Sequence, residues 1–119
     1  MKEITNHKIE NNIEQIIIMA TDEPSFGNAY HQYEISMGAD TPPLIINFQK
    51  GPIKEFGVNG IKEEILLSIL IDRLESFQNS AFACVENGFS LSKIKEALWW
   101  LQQRTIKRIQ RNVEGTNNI

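Results

Sequence analysis

The spacing of apolar residues changes once along this chain of 119 residues, at about residue 60. Before that point apolar and polar residues alternate, whereas beyond it apolar residues recur every three or four positions. A period of two is typical of half-buried β-strands, and a period near 3.6 is typical of amphipathic helices. The sequence therefore predicts an α+β fold, a small N-terminal antiparallel β-sheet followed by helices, in a single domain over 1–119.

Three strands are predicted in the first half, after a polar arm over 1–12 that we expect to be loosely ordered. β-branched residues predict a strand over 13–20, and alternating apolar residues predict two more over 31–37 and 44–49. The last two strands are close enough in sequence to pair as a hairpin. We therefore expect a small sheet within a β-rich part that spans 13–50.

A long antiparallel two-helix hairpin is predicted over 57–116. The first helix is expected over 61–77 with Asn59 as its N-cap, and the second over 81–112. Because the break between them is short, the two helices should pack antiparallel. The apolar stripe of the first helix is too wide for one core face, so its second side is expected to contact another chain in a homo-oligomer.

The second helix carries a seam of positions whose spacing alternates between four and three: Asn87, Leu91, Ile94, Leu98, Leu101, Thr105 and Arg108. Asn87 has two interpretations that the sequence leaves open, since its amide can read the edge of a base or fix the register of the helices. Gly88 is a poor helix former beside it and is expected to allow the close approach of a ligand or of another backbone.

Charge and cysteine content limit the possible partners and compartments. The formal net charge is −3, which argues against general binding to nucleic acid or membranes. Cys84 is the single cysteine, so no intramolecular disulfide forms, and we expect it to be a small buried residue. The polar N-terminus lacks the apolar core of a signal peptide and no apolar run is long enough to span a bilayer, so we expect a cytoplasmic protein.

No catalytic or metal-binding pattern is apparent in the sequence. His7 and His31 stand apart from any recognisable ligand spacing, and there is no glycine-rich phosphate loop. Asp72 and Arg73 are expected to form a salt-linked helix face rather than an acid–base pair. The sequence therefore predicts a binding protein that is not an enzyme and that holds no metal or cofactor.

The end of the second helix reverses the sign of the overall charge, because four cations follow Trp99 and Trp100: Arg104, Lys107, Arg108 and Arg111. Cations four positions apart repel each other on a helix, so an anionic partner would explain them; a solvated face that offsets the helix dipole is the alternative. Trp100 beside Arg104 suits a ligand with a base and phosphates. The two indoles point about 100° apart, so the one that leaves the seam is expected in the core or at a subunit interface.

Phe77 closes the first helix near the predicted turn, where it either seals the core or contacts a ligand. The second helix is about 45 Å long at 1.5 Å per residue, and its basic end lies far from the turn. Phe77 and Asn87 can therefore share a pocket with Arg104 only if a second subunit supplies one of the two ends. The geometry predicts a site at a subunit interface.

Two long segments, GVNGIKEEILLSILIDRLESFQ and ACVENGFSLSKIKEALWWLQQRTIKRIQRNVEGT, carry a resemblance to a known family. They resemble the helical hairpin of phage anti-defence sponges, most closely the Thoeris anti-defence 1 family and more distantly the anti-CBASS type II sponges. The resemblance implies a phage- or prophage-encoded protein that sequesters glycocyclic ADP-ribose, of either linkage isomer, in the host bacterial cytoplasm. This nucleotide is the signal that a TIR-domain protein makes to activate the Thoeris effector, and the sponge binds it without cleaving it.

The resemblance also implies homodimers with two pockets at the dimer interface and assigns roles to individual residues. Phe77 stacks on the ligand, Asn87 reads it, and Arg104 meets its phosphates. Arg108 assists Arg104, and Thr116 lies beside the pocket.

Some members of the family assemble further, into hexamers that are trimers of dimers and that hold cyclic dinucleotides or trinucleotides in separate sites. The residues implied for such a site lie at the start of the first helix and are Asn59, Gly60 and Lys62. Lys62 replaces the threonine that follows GVNGI in many relatives.

Two other classes of function compete with a sponge. A structural or interaction protein of a phage particle would use the wide apolar helix as an oligomer seam and would bind no nucleotide. A nucleic-acid-binding module would use the basic helix end and would lose affinity steeply with salt, but the net charge of −3 disfavours it.

Overall fold

A four-stranded antiparallel sheet occupies the first half of the chain, and two long helices occupy the second half. The computed structural model describes all 119 residues, from Met1 to Ile119. The chain divides into two units, Met1–Ile61 and Lys62–Ile119. The predicted α+β class, with the sheet preceding the helices, is confirmed.

The sheet has the strand order β1-β2-β3-β4, and every neighbouring pair is antiparallel. Its strands are β1 (Lys2–Ile4), β2 (Ile17–Ala20), β3 (Gln32–Ser36) and β4 (Leu44–Asn47). The prediction of a loose arm over 1–12 is wrong at β1, which pairs with β2 from Lys2 opposite Ala20 to Ile4 opposite Ile18. Pairing satisfies backbone N–H and C=O groups whatever the side chains are, so a polar segment can still be a strand.

The segment between β2 and β3 is held by Asp22. Its carboxylate accepts hydrogen bonds from the backbone N–H groups of His31, at 2.9 Å, and Gln32, at 3.2 Å. Partial burial acts to raise the pKa of Asp22, but these N–H groups and the neighbouring His31 hold that pKa below its ordinary value. His31 itself is 9% exposed, and its Nδ1 lies 3.2 Å from Ser25 Oγ.

The connector after β4 contains a short helix, α1 (Ile53–Phe56), and ends in the sheet. Ile61 forms a parallel bridge with Phe48 and donates its N–H to the carbonyl of Asn47 at 2.9 Å. Because Ile61 is committed to this pairing, the following helix starts at Glu63 rather than at residue 61.

The prediction that Asn59 caps the first long helix is therefore wrong, and Lys62 occupies the N-cap position. The side-chain amide of Asn59 instead accepts a hydrogen bond from the N–H of Lys50, at 2.7 Å, and donates to its carbonyl, at 2.8 Å. An asparagine amide that mimics a paired backbone in this way holds a loop rather than a helix end.

The hairpin consists of α2 (Glu63–Gln78) and α3 (Val85–Gln110). Two ion pairs fix its direction, since Glu75 meets Lys95 at 4.0 Å and Glu63 meets Arg104 at 3.8 Å. The predicted antiparallel packing is therefore confirmed. The predicted seam of α3 is also confirmed, because all seven of its positions are partly covered, whereas the flanking positions are mostly exposed.

The apolar stripe of α2 has two sides, as its width predicted. Leu67, Ile71 and Leu74 are partly covered at spacings of four and three, whereas Ile69 is 59% exposed and Ile65 is 49% exposed. The protomer leaves this second side uncovered.

Trp99 and Trp100 are both at least half exposed, and their ring centroids lie 4.6 Å apart in an edge-to-face arrangement. Of the two locations expected for the indole that leaves the seam, the protomer core is therefore excluded and a subunit interface stays a prediction. The expected burial of Cys84 is wrong. Cys84 is exposed because it is the N-cap of α3, where its Sγ accepts the N–H of Asn87 at 3.4 Å. No helix combines the length and the apolar character that crossing a bilayer needs.

Candidate ligand-binding site

Phe77 lies in the last turn of α2 and carries a cation on one face. The Arg73 guanidinium carbon is 4.9 Å from the centre of the Phe77 ring, four positions earlier on the helix. The expected link between Asp72 and Arg73 is wrong, because Asp72 makes no ion pair. The Phe77 side chain is partly exposed, so part of it is open to solvent beside this cation.

Asn87 lies in the first helical turn of α3, just after the loop that connects the two helices. Its backbone N–H is bound to Cys84 Sγ, whereas its side-chain amide makes no hydrogen bond within the chain. A half-covered amide with free donors and acceptors can read the polar edge of a base. Phe77 and Asn87 therefore lie on the two helices that flank the turn of the hairpin, one at the end of α2 and one at the start of α3.

Arg104 lies at the other, open end of the hairpin. Its Nη2 is 3.8 Å from Glu63 Oε2, and the two side chains are 58% and 60% exposed. An ion pair this exposed contributes about 0–1 kcal/mol, so a phosphate can displace the carboxylate. Trp100 precedes Arg104 by one turn and is 59% exposed.

The two halves of the site are separated within one protomer. Arg104 is level with Glu63, and Phe77 lies 14 positions further along α2, which corresponds to about 21 Å at 1.5 Å per residue. The structure therefore places Phe77 and Asn87 at the same end of the hairpin, and it places Arg104 at the opposite end.

Arg108 and Thr116 are brought together by the C-terminal tail. The Arg108 guanidinium donates to the carbonyls of Asn118, at 2.7 Å, and of Val113 and Thr116, both at 3.1 Å. The Thr116 hydroxyl in turn donates to the carbonyl of Val113. Arg108 thus holds the tail against the end of α3, and several of its N–H groups are occupied by protein carbonyls.

The remaining two cations of the basic run differ in their contacts. Arg111 donates to the carbonyl of Ile119 at 2.8 Å, so it also holds the tail. Lys107 makes no ion pair, in keeping with the alternative of a solvated face.

Two of the three residues of the implied second site, Asn59 and Gly60, contact the backbone of the connector, and the third, Lys62, does not. The amide of Asn59 is committed to Lys50, and Gly60 approaches the main chain of Phe48 so closely that an added Cβ would be 2.4 Å from its carbonyl carbon. Glycine is required there by this approach. Lys62 is the N-cap of α2 and makes no side-chain hydrogen bond at that cap.

Two contacts at the site were missed from the sequence. Arg73 could have been found, because cations and aromatic rings four positions apart on a helix lie side by side. The contact of Glu63 could not have been found, since its partner is distant in sequence and depends on the helix register.

No group of three or more histidine, cysteine or acidic side chains is placed to hold a metal ion.

Comparison with known proteins gives a family for this arrangement. Residues 41–105, which include Phe77, Asn87 and Arg104, match the family model described as Acb2/Tad1, hairpin domain. The chain is also 51% identical over 72 residues to Thoeris anti-defense 1 of Bacillus phage SBSphiJ7. That match covers 60% of this chain and 51% of the relative, so it spans about half of the relative's length. Because the family model covers more than half of the chain, this protein belongs to the Acb2/Tad1 hairpin-domain family.

Proposed function

We propose that this protein is a phage anti-defence sponge that binds glycocyclic ADP-ribose and sequesters it without cleavage. One observation carries the proposal. The segment that matches the family holds the aromatic ring of Phe77, the unpaired amide of Asn87, and Arg104, whose carboxylate partner a phosphate can displace. The name of the relative, Thoeris anti-defense 1, supports a role against the Thoeris system in the infected bacterium.

The site is completed in a homodimer. A two-fold axis perpendicular to the hairpin lays two hairpins antiparallel, which sets the turn of one protomer beside the open end of its partner. Phe77 and Asn87 of one chain then face Arg104 of the other, and the symmetry produces two such sites. This arrangement removes the separation of about 21 Å that keeps the halves apart in one chain.

The uncovered apolar side chains of the hairpin support such a dimer. Ile65, Ile69, Trp99 and Trp100 are about half exposed or more. Complete burial of a large apolar side chain contributes about 1.5–3 kcal/mol, so the part still exposed on these four residues is a substantial driving force for association. A second copy of the chain is the partner that these faces fit.

Each proposed residue meets a different part of the nucleotide. The adenine ring stacks on the ring of Phe77, and the Asn87 amide pairs with the polar edge of the base. The diphosphate carries about two negative charges, which accept charge-assisted hydrogen bonds from Arg104. Phenylalanine, asparagine and arginine supply no general base, which favours retention of an intact ligand over hydrolysis.

Isothermal titration of the purified protein with each linkage isomer of glycocyclic ADP-ribose tests the proposal. The loaded protein is then heated, and the released nucleotide is identified by mass spectrometry. Recovery of intact ligand is expected, whereas a cleaved product would make the protein an enzyme. Failure to bind any isomer would leave the structural phage protein, with its apolar seam, as the better assignment.

Cyclic dinucleotides and trinucleotides serve as the comparison ligands in the same titration. Binding at a site that is independent of Arg104 would extend the proposal to the second site at Asn59, Gly60 and Lys62. Light scattering on the same samples distinguishes a dimer from a hexamer of three dimers.

A further inference from the structure

The turn of the hairpin is closed by the side chain of Gln78, the last residue of α2. Its Oε1 accepts the N–H of Cys84 at 3.0 Å, and its Nε2 donates to the carbonyl of Cys84 at 3.0 Å. Both backbone polar groups of Cys84 are thereby satisfied by one amide. The side chain spans the turn in the way a paired strand would, and it sets the distance between its two ends.

Gly88 leaves the space that this amide occupies. A Cβ added at Gly88 would lie 3.2 Å from Gln78 Nε2, closer than most side-chain contacts, and nothing else would approach it. Glycine is unfavourable inside a helix, so its presence in the first turns of α3 calls for a reason. Within the protomer the neighbour of Gly88 is therefore a side chain, and not the ligand or the second backbone expected from the sequence.

The peptide bond between Phe77 and Gln78, together with hydrogen bonds across the turn, joins the two proposed ligand contacts. Ser80 Oγ donates to the carbonyl of Phe77 at 2.7 Å, and Gln78 holds Cys84 from both sides. Cys84 Sγ then accepts the N–H of Asn87 at 3.4 Å. The positions of Phe77 and Asn87 are thus coupled through polar contacts that neither residue makes with its own side chain.

We propose that Gln78, seated against Gly88, is a positioning residue that sets the spacing between Phe77 and Asn87 for the nucleotide. This inference rests on the proposed function, because it concerns the same site. Gln78 contributes by prearranging the turn rather than by touching the ligand. A stacking ring and a reading amide must be held within about 0.5 Å of their productive geometry, and the segment between α2 and α3 has no other side chain that grips it at both ends.

Three variants test this role by titration with glycocyclic ADP-ribose: Gln78→Ala, Gly88→Ala and the double variant. We expect affinity to fall by about 5- to 20-fold for Gln78→Ala, because the turn loses its closure. Gly88→Ala should weaken binding by about 3- to 10-fold without lowering the melting temperature, because alanine favours the helix but displaces the amide. Such a loss of affinity without a loss of stability is not expected of a purely structural position.

The double variant decides whether Gly88 acts through Gln78. Without the amide the added methyl group has nothing to displace, so the double variant should bind no more weakly than Gln78→Ala alone. Losses that multiply would overturn the coupling, and wild-type affinity in both single variants would overturn the proposal. Gln110→Ala, at an exposed position that makes no side-chain hydrogen bond, is the matched control.

A second substitution and an exchange measurement test the role of Gln78 independently of Gln78→Ala binding. Gln78→Glu keeps the acceptor for the Cys84 N–H and loses the donor, so it tests the same role if Gln78→Ala fails to fold. Amide hydrogen exchange at Cys84 should accelerate in Gln78→Ala before any ligand is added, because its N–H loses its acceptor. Unchanged exchange would contradict the closure of the turn by Gln78. If the wild type binds no isomer, the proposed function fails; if the wild type binds and the variants match it, only this inference fails.

Discussion

Arg104 and Glu63 face each other across the open end of the hairpin, with Nη2 and Oε2 3.8 Å apart. The contact reflects the antiparallel register of α2 and α3, and both side chains are more than half exposed. Water screens the attraction in such an exposed pair. Separating Arg104 from Glu63 therefore costs little free energy. Charge-assisted hydrogen bonds between a guanidinium and a phosphate are about 2.7–2.9 Å long, which is shorter than this contact.

Arg104→Ala should weaken binding of glycocyclic ADP-ribose by about 100-fold while leaving the oligomer intact. A hydrogen bond to a charged group contributes about 1.5–3 kcal/mol, and each 1.4 kcal/mol changes affinity tenfold. Titration gives the affinity and light scattering gives the assembly. Lys107→Ala, which removes a nearby exposed cation that makes no ion pair, is the control. Normal binding by an intact Arg104→Ala dimer would remove Arg104 from the site.

Glu63→Gln should leave affinity unchanged or raise it by up to about threefold, because the carboxylate competes with the ligand for Arg104. The effect should shrink in high salt, which screens the exposed pair in the wild type. Parallel titrations at two salt concentrations measure it. A large loss of affinity would indicate that Glu63 itself contacts the nucleotide or that its pairing prearranges Arg104.

Mixing two inactive variants tests whether the site is shared between subunits. A heterodimer of Phe77→Ala and Arg104→Ala carries both substitutions in one of its two sites and neither in the other. Subunit exchange between the two homodimers should therefore restore binding of one nucleotide per heterodimer, measured as recovered stoichiometry in the titration. A mixture that stays inactive although mass spectrometry detects heterodimers would place both residues in a site within one chain.

Asp22 should make the stability of the sheet sensitive to acid. Its pKa is lower in the folded than in the unfolded chain, so its contribution is complete above the unfolded value of about 3.9 and is lost as the pH falls through the folded value. The wild type should melt at a higher temperature than Asp22→Asn at neutral pH, and this difference should shrink below about pH 4.

Asp40→Asn is the control for that experiment, because Asp40 is exposed and accepts no hydrogen bond. Its melting-temperature difference from the wild type should be small throughout the pH range. A difference for Asp22→Asn that stays constant down to low pH would show that ionised Asp22 does not hold the β2–β3 connection.

Arg108→Ala should release the C-terminal tail from α3, because the guanidinium bonds to three of its carbonyls. Amide exchange at Thr116 should rise markedly, while the exchange of residues in α2 stays near that of the wild type. Arg111→Ala removes a single contact, to Ile119, and should have a smaller effect. Equal protection of the tail in wild type and Arg108→Ala would show that Arg108 does not hold the tail against α3.

The helical hairpin follows closely from the order of the side chains. The covered seam from Asn87 to Arg108 was predicted position by position, because a stripe of apolar residues at a helical period has one way to be buried. The width of the stripe on α2 also indicated a second face, and Ile69 lies on it, exposed. Burial patterns of this kind are local, so sequence spacing is sufficient to read them.

Pairing between backbones could not be read in the same way. The polar sequence of β1 predicts a loose arm, but its main chain pairs with β2. Ile61 was assigned to a helix, but it bridges Phe48 instead. In both cases backbone hydrogen bonds between distant segments outweigh the local preference for coil or helix. The reason is that leaving a backbone N–H or C=O group unpaired away from water costs free energy.

The sequence alone determined that the chain has a sheet followed by an antiparallel hairpin, and that Phe77 and Asn87 flank its turn while Arg104 lies at the far end. Only the tertiary structure decided which polar groups are free and which are occupied. Asn59 and Arg108 are committed to backbone groups, whereas the amide of Asn87 has no partner and Arg104 has an exposed one. The physical reason is that side-chain hydrogen bonds need contact within about 3.5 Å between segments whose approach is set by the fold, which spacing along a chain does not encode.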